Sequence, residues 1–590
     1  MSSSAAAEYE RRLGDRRRRI ADLDRAHLRL SNLRLAIAGV GAVVLWLAFA
    51  RAALSPWWAL VAWLAFAVVA VAHAKVLERR ERVGRAERLY LRALDRIAGR
   101  WAGTGRDGAG FAAGHPYARD LDLFGRASLF ELLNTARSEA GETTLAAWLS
   151  RGADGDELRV RQAAVDELRP LLDLREQLAV LAAEGEVSRT GALSQWARSA
   201  PMRIAPAWPV VFAASGATTA VLVVVASFDI VSWTPFVVWL LVEAVLIWSW
   251  KKRLLQIVER IGRPAEDLKI LWALAARVER ERFAAARLVA VREALAGCAA
   301  AVARLERLVS LLESSTHNLF AAPITQVLLV PQQLAIAIDR WHAAHGPDVD
   351  AWLAAIGDVE ALCAIATYAY ERADDPFPTL VETPVFDAVA LAHPLLAEAS
   401  AVANDVRIGG DGPRVVVVSG SNMSGKSTLL RAVGLNVVLA LAGAPVRAKR
   451  LTLAPMAIGA TLRVDDSLEE GHSKFYSEIL RIRAIVDAAK GPLPLLFLLD
   501  EILHGTNSYD RRIGAEAIVR ALVDAGAIGF VTTHDLALTE LAARLGGRAV
   551  NVHFEDRLEN GRMVFDYRMR PGVVEHSNAL ALMRAIGLEV

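Results

Sequence analysis

The chain has 590 residues, with 68 basic side chains against 66 acidic ones, a formal net charge of +2 and two cysteines. That length exceeds what a single hydrophobic core usually serves, so several domains are expected. The near-neutral balance excludes a chain-wide basic field for nucleic acid, and Cys298 and Cys363 have neither disulfide nor metal-ligand spacing. A mean hydropathy of +0.30 is high for a soluble protein, and the apolar residues are concentrated in a few stretches.

Residues 1–33 read as a basic cytoplasmic helix. Residues 34–75 hold two uncharged runs, LAIAGVGAVVLWLAFA and ALSPWWALVAWLAFAVVAVAHA, on either side of Arg51. Each approaches or reaches the about 20 residues of helix that cross a hydrocarbon core, so the pair predicts a transmembrane hairpin. Residues 76–203 are expected to be helical, and residues 204–250 repeat the hairpin pattern with IAPAWPVVFAASGATTAVLVVVASF and IVSWTPFVVWLLVEAVLIWSW. Basic flanks such as RRLGDRRRR, KVLERRERVGRAER and KKRLL predict that both hairpins enter from and return to the cytoplasmic side. Glu243 is the one acid inside a span, read as a helix-packing contact or a protonated side chain. Residues 251–390 show apolar spacing near the helical period, with acids interleaved among the arginines, the pattern of a solvated helical lever region more than a phosphate-binding stripe.

The segment 391–590 reads as an α/β domain. RVVVV runs into GSNMSGKST at 420–428 and then into an amphipathic helix, which is a buried strand, a glycine-rich loop and a helix N-terminus in succession. The loop fits G-x-x-x-x-G-K-[ST], whose backbone N–H groups cradle phosphates while the lysine reaches the β/γ oxygens and the Ser/Thr binds magnesium. Gly420, Ser421, Asn422, Met423, Ser424, Gly425, Lys426, Ser427 and Thr428 are the candidate ATP-binding residues. Further on, LPLLFLLDEI places Asp500 and Glu501 at the tip of an apolar strand, where the first can hold Mg²⁺ with Ser427 and the second can activate water. AIGFVTTHD ends a third strand at His534, a candidate γ-phosphate sensor, and together with Glu501 and Lys426 it completes the catalytic set.

GSNMSGKST, DDSLEEGHSKFYSEI at 465–479, LDEILHGTNSYD at 499–510 and TTHD at 532–535 resemble, in order and spacing, the ATPase domain of the MutS mismatch-repair family. HPLL at 393–396, NDV at 404–406 and a terminal GVVEHSNALALMRAIGL are similar to that domain's lead-in and its dimerising helix, and DLDLFGRASLFELLNTARSEAGETTLAAWLSR loosely resembles the start of the family's helical core. The resemblance implies a P-loop NTPase fold of ABC-like type, ATP and Mg²⁺ as cofactors, and a homodimer in which Ser473 reaches the partner's γ-phosphate. It also implies an adenine site near Val402–Val406, although Ala403 stands where an aromatic would stack best. No Phe-x-Glu mismatch-reading domain is expected before residue 34.

The expected molecule is multidomain: α-helical membrane hairpins and a helical core, followed by the α/β ATPase. It sits as a multi-pass protein of the cell inner membrane with four transmembrane helices and a cytoplasmic ATPase domain. The expected function is ATP-driven dimer closure that moves helical levers, with DNA an open ligand. The alternative is an ATP-gated membrane interaction switch without nucleic acid.

Overall fold

The computed structural model describes residues 4–55, 57–183, 190–202, 204–261, 264–317, 321–463, 474–503, 505–559 and 562–574. Helix α1 (Ser4–Leu45) joins the basic stretch and the first apolar run into one element, extended by a π-turn at Trp46–Ala50. Nothing between residues 30 and 36 breaks a helix, and pairs such as Glu8–Arg12 and Asp22–Arg25 support it at helical spacing. Helix α2 (Trp57–Ile97) returns alongside it. Their apolar parts carry exposed Leu35, Val43, Phe49, Trp57, Trp63 and Val68, which none of the other described residues covers. Their polar ends are anchored instead: Tyr9 packs on Tyr90 and Tyr370, Arg16 forks onto Glu176, and Arg96 forks onto Glu371. Two-pronged arginine–carboxylate pairs of this kind fix orientation as well as distance.

The helical body follows as α3 (Leu129–Leu133), α4 (Glu139–Ser150), α5 (Gly155–Leu168), α6 (Leu172–Ala182) and α7 (Thr190–Arg198). The second hairpin, α8 (Ala207–Ser227) and α9 (Thr234–Ile261), interrupts it, and α10 (Pro264–Glu279), α11 (Ala286–Ala294), α12 (Cys298–His317), α13 (Ala321–Val327) and α14 (Val330–Glu371) complete it. Among the described residues, four helices, α1 with its π-turn, α2, α8 and α9, are long and apolar enough to cross a membrane. Between α8 and α9, Glu243 is buried and accepts hydrogen bonds from the hydroxyls of Ser215 and Thr219, a helix-packing contact. Helix α14 is the spine, with α4, α5, α7, α11 and α12 against it. The crossing with α4 is so close that a Cβ on Gly357 would meet Thr144 Oγ1 at 2.6 Å and the Ala140 carbonyl oxygen at 2.9 Å. Both cysteines are free and buried, as their spacing suggested.

The C-terminal domain holds two sheets. Strands β1 (Thr379–Leu380), β2 (Val385–Leu391), β3 (Asn404–Gly409) and β5 (Arg450–Leu453) form a four-stranded sheet in the order β1-β5-β2-β3. Strands β4 (Val415–Ser419), β6 (Ala457–Thr461), β7 (Leu495–Asp500), β8 (Ile528–Thr533), β9 (Ala549–Glu559) and β10 (Arg562–Pro571) form the second, in the order β10-β9-β4-β8-β7-β6. All of its pairings are parallel except β10 with β9. Its central strands VVVVS, LLFLLD and IGFVTT are buried nearly throughout, as strands covered on both faces must be. Helix α15 (Lys426–Ala442) is buried along most of its length, packing against β7 and β8 as well as α4 and α5. Helices α16 (Lys474–Ala488), α17 (Ser508–Asp524) and α18 (Leu536–Arg544) pack with a second core cluster.

Candidate functional site

The carboxyl edges of β4, β7 and β8 meet where the parallel pairing ends, and each delivers one part of the site. After β4 the backbone turns through positive φ at Gly420, Met423 and Gly425, the conformation that lets successive N–H groups face inward. A side chain on Gly420 would meet Ser424 Oγ at 2.8 Å and the Phe554 carbonyl at 3.0 Å, so the loop is packed to its backbone. Gly425 caps the N-terminus of α15 without any side-chain acceptor, leaving that helix end open to an anion.

Lys426 is 5% exposed, and its ammonium donates to the carbonyls of Gly420 at 2.7 Å and Ser421 at 2.9 Å. It stands 3.5 Å from Glu501 Oε1, and Glu501 in turn lies 3.3 Å from His534 Nδ1. Glu501 has φ +47°, a left-handed conformation that costs a non-glycine residue strain and turns its carboxylate off the line of β7 toward the lysine. The Thr532 hydroxyl fixes this turn by donating to Asp500 and accepting the Glu501 N–H at 3.0 Å. Thus Lys426, Asp500, Glu501 and His534 converge. Ser427 and Thr428 lie in the first turn of α15, and the Met423 side chain is exposed beside the loop. Ser473 and most of the terminal dimerising segment lie outside the described residues.

The residues fit a magnesium triphosphate. Ser421 Oγ and Ser424 Oγ are buried inside the loop without a hydrogen-bond partner, donors that phosphate oxygens would satisfy. The donor set suits a hard cation as well, with an Asp500 carboxylate and a Ser427 hydroxyl at the same edge.

Beside the loop opens a cavity of about 520 Å³, between β2, β3 and the β9–β10 hairpin, with His393, Met423, Thr428, Phe554 and Tyr567 in its walls. Val402 and Asn404 line this cavity too, and its aromatic walls come from Phe554 of β9 and Tyr567 of β10. Tyr567 sits at φ +54° in a register shift of β10, which Asn404 pins by donating to the Tyr567 carbonyl at 3.0 Å and accepting from the Met569 N–H at 2.7 Å. NDV therefore matters through Asn404. Burial, then Arg431, pushes the His393 imidazole down to about 4, and the Leu395 N–H donates to its Nδ1 at 3.3 Å, so the neutral ring carries its proton on Nε2.

Two positioning residues had gone unassigned. Glu478 on α16, inside the quoted SKFYSEI, is buried and accepts the Leu503 N–H, tying α16 to the turn after Glu501. Asp120, in DLDLF, is 0% exposed and accepts the N–H groups of Leu462 and Arg463 at 2.8 Å each, with Arg481 of α16 at 3.2 Å. It joins the helical body to the β6–α16 connection. Their signal was an acid within an apolar motif, which has no unique meaning without a fold.

Residues 416–589 match the family model for MutS domain V. The chain is 33% identical over 251 residues to the DNA mismatch repair protein MutS of Brevibacillus brevis, an alignment covering 42% of this chain and 29% of that protein. It is 31% identical over 239 residues to the DNA mismatch repair protein MSH3 of Phaeosphaeria nodorum (39% and 21%), and 35% identical over 224 residues to the endonuclease MutS2 of Thermomicrobium roseum (36% and 26%). The chain thus spans under a third of the length of these relatives. The likeness to MutS domain V thus lies in the C-terminal α/β domain of the chain.

Proposed function

We propose that this protein is a membrane-anchored MutS-like ATPase in which ATP binding and hydrolysis close a dimer and move the helical body that is rooted in the bilayer. The observation that carries the reading is the convergence of Lys426, Glu501 and His534 over an open helix N-terminus. In this mechanism Lys426 leaves Glu501 and grips the β/γ-phosphate oxygens, while the loop N–H groups and the Ser421 and Ser424 hydroxyls hold the remaining phosphate oxygens. Ser427 and Asp500 hold Mg²⁺, which supplies charge neutralisation on the phosphates when bound. Glu501, freed of the lysine, accepts the proton of the attacking water, and His534 keeps the Glu501 carboxylate oriented. Ser473 of a second copy would donate to the γ-phosphate, making closure depend on nucleotide.

The four apolar helices with basic flanks support a multi-pass position in the inner membrane, with the ATPase on the cytoplasmic side. Asp120 and α16 give the ATPase a rigid attachment to the helical body. The relatives' names make DNA a candidate partner, but one observation favours the reading without nucleic acid. Several described arginines of the helical body are engaged by carboxylates, as in Arg198–Asp350, Arg277–Glu281 and Arg287–Asp358, which withdraws them from a phosphate-binding stripe. The deciding experiment is ATP turnover by the full chain in lipid nanodiscs, alone and with matched, mismatched and branched duplexes. Turnover without DNA, unchanged by any duplex, is the expected result. Absence of turnover under every condition would overturn the ATPase reading.

A further inference from the structure

Away from the nucleotide loop, where α2 passes the end of α6 and the loop before α4, five arginines line one cavity of about 480 Å³: Arg85, Arg88 and Arg92 of α2, and Arg106 and Arg137 from the helical body. Alanines and a valine of α6 and its C-terminal turn make the opposite wall, and none of the described lining residues is acidic. Two of the five are neutralised nearby, Arg85 by Glu81 at 3.0 Å and Arg106 by Glu142 at 2.8 Å. Arg88, Arg92 and Arg137 have no carboxylate partner among the described residues; the next six residues after α6, which include Glu184 and Glu186, lie outside that set. Burial, then the charges of Arg92, Arg106 and Arg96, pushes the Arg137 guanidinium down to about 10 against the pull of Glu142. The carbonyl end of α6 offers only about half a negative charge against three guanidiniums that have no carboxylate partner among the described residues.

Guanidiniums gathered around one cavity repel one another unless an anion sits among them, and local violations of this kind tend to mark sites of function. We propose that this cavity binds a small soluble ligand carrying two or more phosphates, held by Arg88, Arg92 and Arg137. The volume exceeds one phosphate, and planar guanidiniums grip phosphate oxygens in pairs. A lipid headgroup has the same chemistry but the wrong height. The uncharged run of α2 ends at Ala74, so Arg85 to Arg92 lie roughly 16 to 27 Å farther along the helix, past a headgroup layer about 5 to 8 Å deep on each side. The ligand would bridge the membrane hairpin to the helical body at the joint that the proposed lever motion must cross, yet its binding does not depend on that motion.

The test uses inorganic tripolyphosphate with the full chain in zwitterionic nanodiscs, in a Lys426→Ala background that disables the nucleotide loop. Calorimetric titration should show one site per chain, weakening with salt. Arg88→Ser and Arg92→Ser, both at exposed positions, should each weaken it by about tenfold or more, while basal ATP turnover in the Lys426 parent stays unchanged. Arg137→Gln should do the same for binding. Three results would overturn the proposal: no titration in the Lys426→Ala chain, equal affinity in the arginine variants, or an arginine-dependent effect seen only with anionic-lipid nanodiscs or with short duplex DNA.

Discussion

Lys426 Nζ stands 3.5 Å from Glu501 Oε1, so the cation of the loop and the acid after β7 neutralise each other beside the open N-terminus of α15. Each group has a second anchor, the lysine on two loop carbonyls and the carboxylate beside His534. In the proposed mechanism the pair is a resting contact that phosphate breaks, since the lysine gains a stronger acceptor while the carboxylate becomes free to take a proton.

Replacing Glu501 by Gln removes the base but keeps the shape. ATP hydrolysis should fall by at least about 100-fold while ATP affinity is kept or rises. Single-turnover hydrolysis and equilibrium ATP binding on the same preparation check this, and retained hydrolysis would reassign the base.

Under the proposed function, Tyr567 and Asn404 would act on the other end of the nucleotide, in the cavity beside the loop. Tyr567→Ala should raise the KM for ATP by roughly tenfold, the scale of a lost base–aromatic stack, with kcat nearly unchanged. Asn404→Ala should produce a smaller change in the same direction, because it frees the bulge that holds Tyr567 without removing the ring. Steady-state kinetics of both variants separate this split from a general loss of activity.

His393 gives the domain a pH dependence of known sign. Its pKa falls from 6.5 to about 4 on folding, so the unfolded chain binds a proton in that interval which the native site refuses. This contribution to stability is present above pH 6.5 and is lost as the pH falls toward about 4, by up to roughly 3 kcal/mol. Denaturant unfolding of wild type and His393→Gln at several pH values should show a shallower acid loss in the variant.

Asp120 holds two backbone N–H groups and Arg481 in a buried joint, and burial pushes its own carboxyl up against the pull of that arginine and the two N–H groups. Asp120→Ala strands all three donors and should cost about 3 kcal/mol. Asp120→Asn, which keeps a carbonyl acceptor, should cost less. The difference between their unfolding midpoints measures the joint.

The phosphate loop was legible because VVVV, two glycines and a lysine are adjacent in sequence, so local chemistry sufficed. Asp500, Glu501 and His534 were legible because each ends an apolar run, and parallel strands bring such ends to one edge. Tyr567 was not, because its role depends on a bulge in β10 and on a hydrogen-bond clamp from Asn404, far away in sequence. Asp120 and Glu478 were hidden for the same reason, since a buried acceptor is defined by N–H groups that only the tertiary fold supplies. The continuity of α1 was concealed by a change in polarity at residue 34, which alters the helix's surroundings and not its backbone.

The most direct test of the central claim is the mass of the Glu501→Gln chain in nanodiscs, measured by mass photometry with ATP and Mg²⁺ and again with ADP. The account predicts particles holding two copies with ATP that separate or open with ADP, and loss of the ATP-dependent species on adding Ser473→Ala. A single copy per particle, identical in both nucleotides, would contradict it.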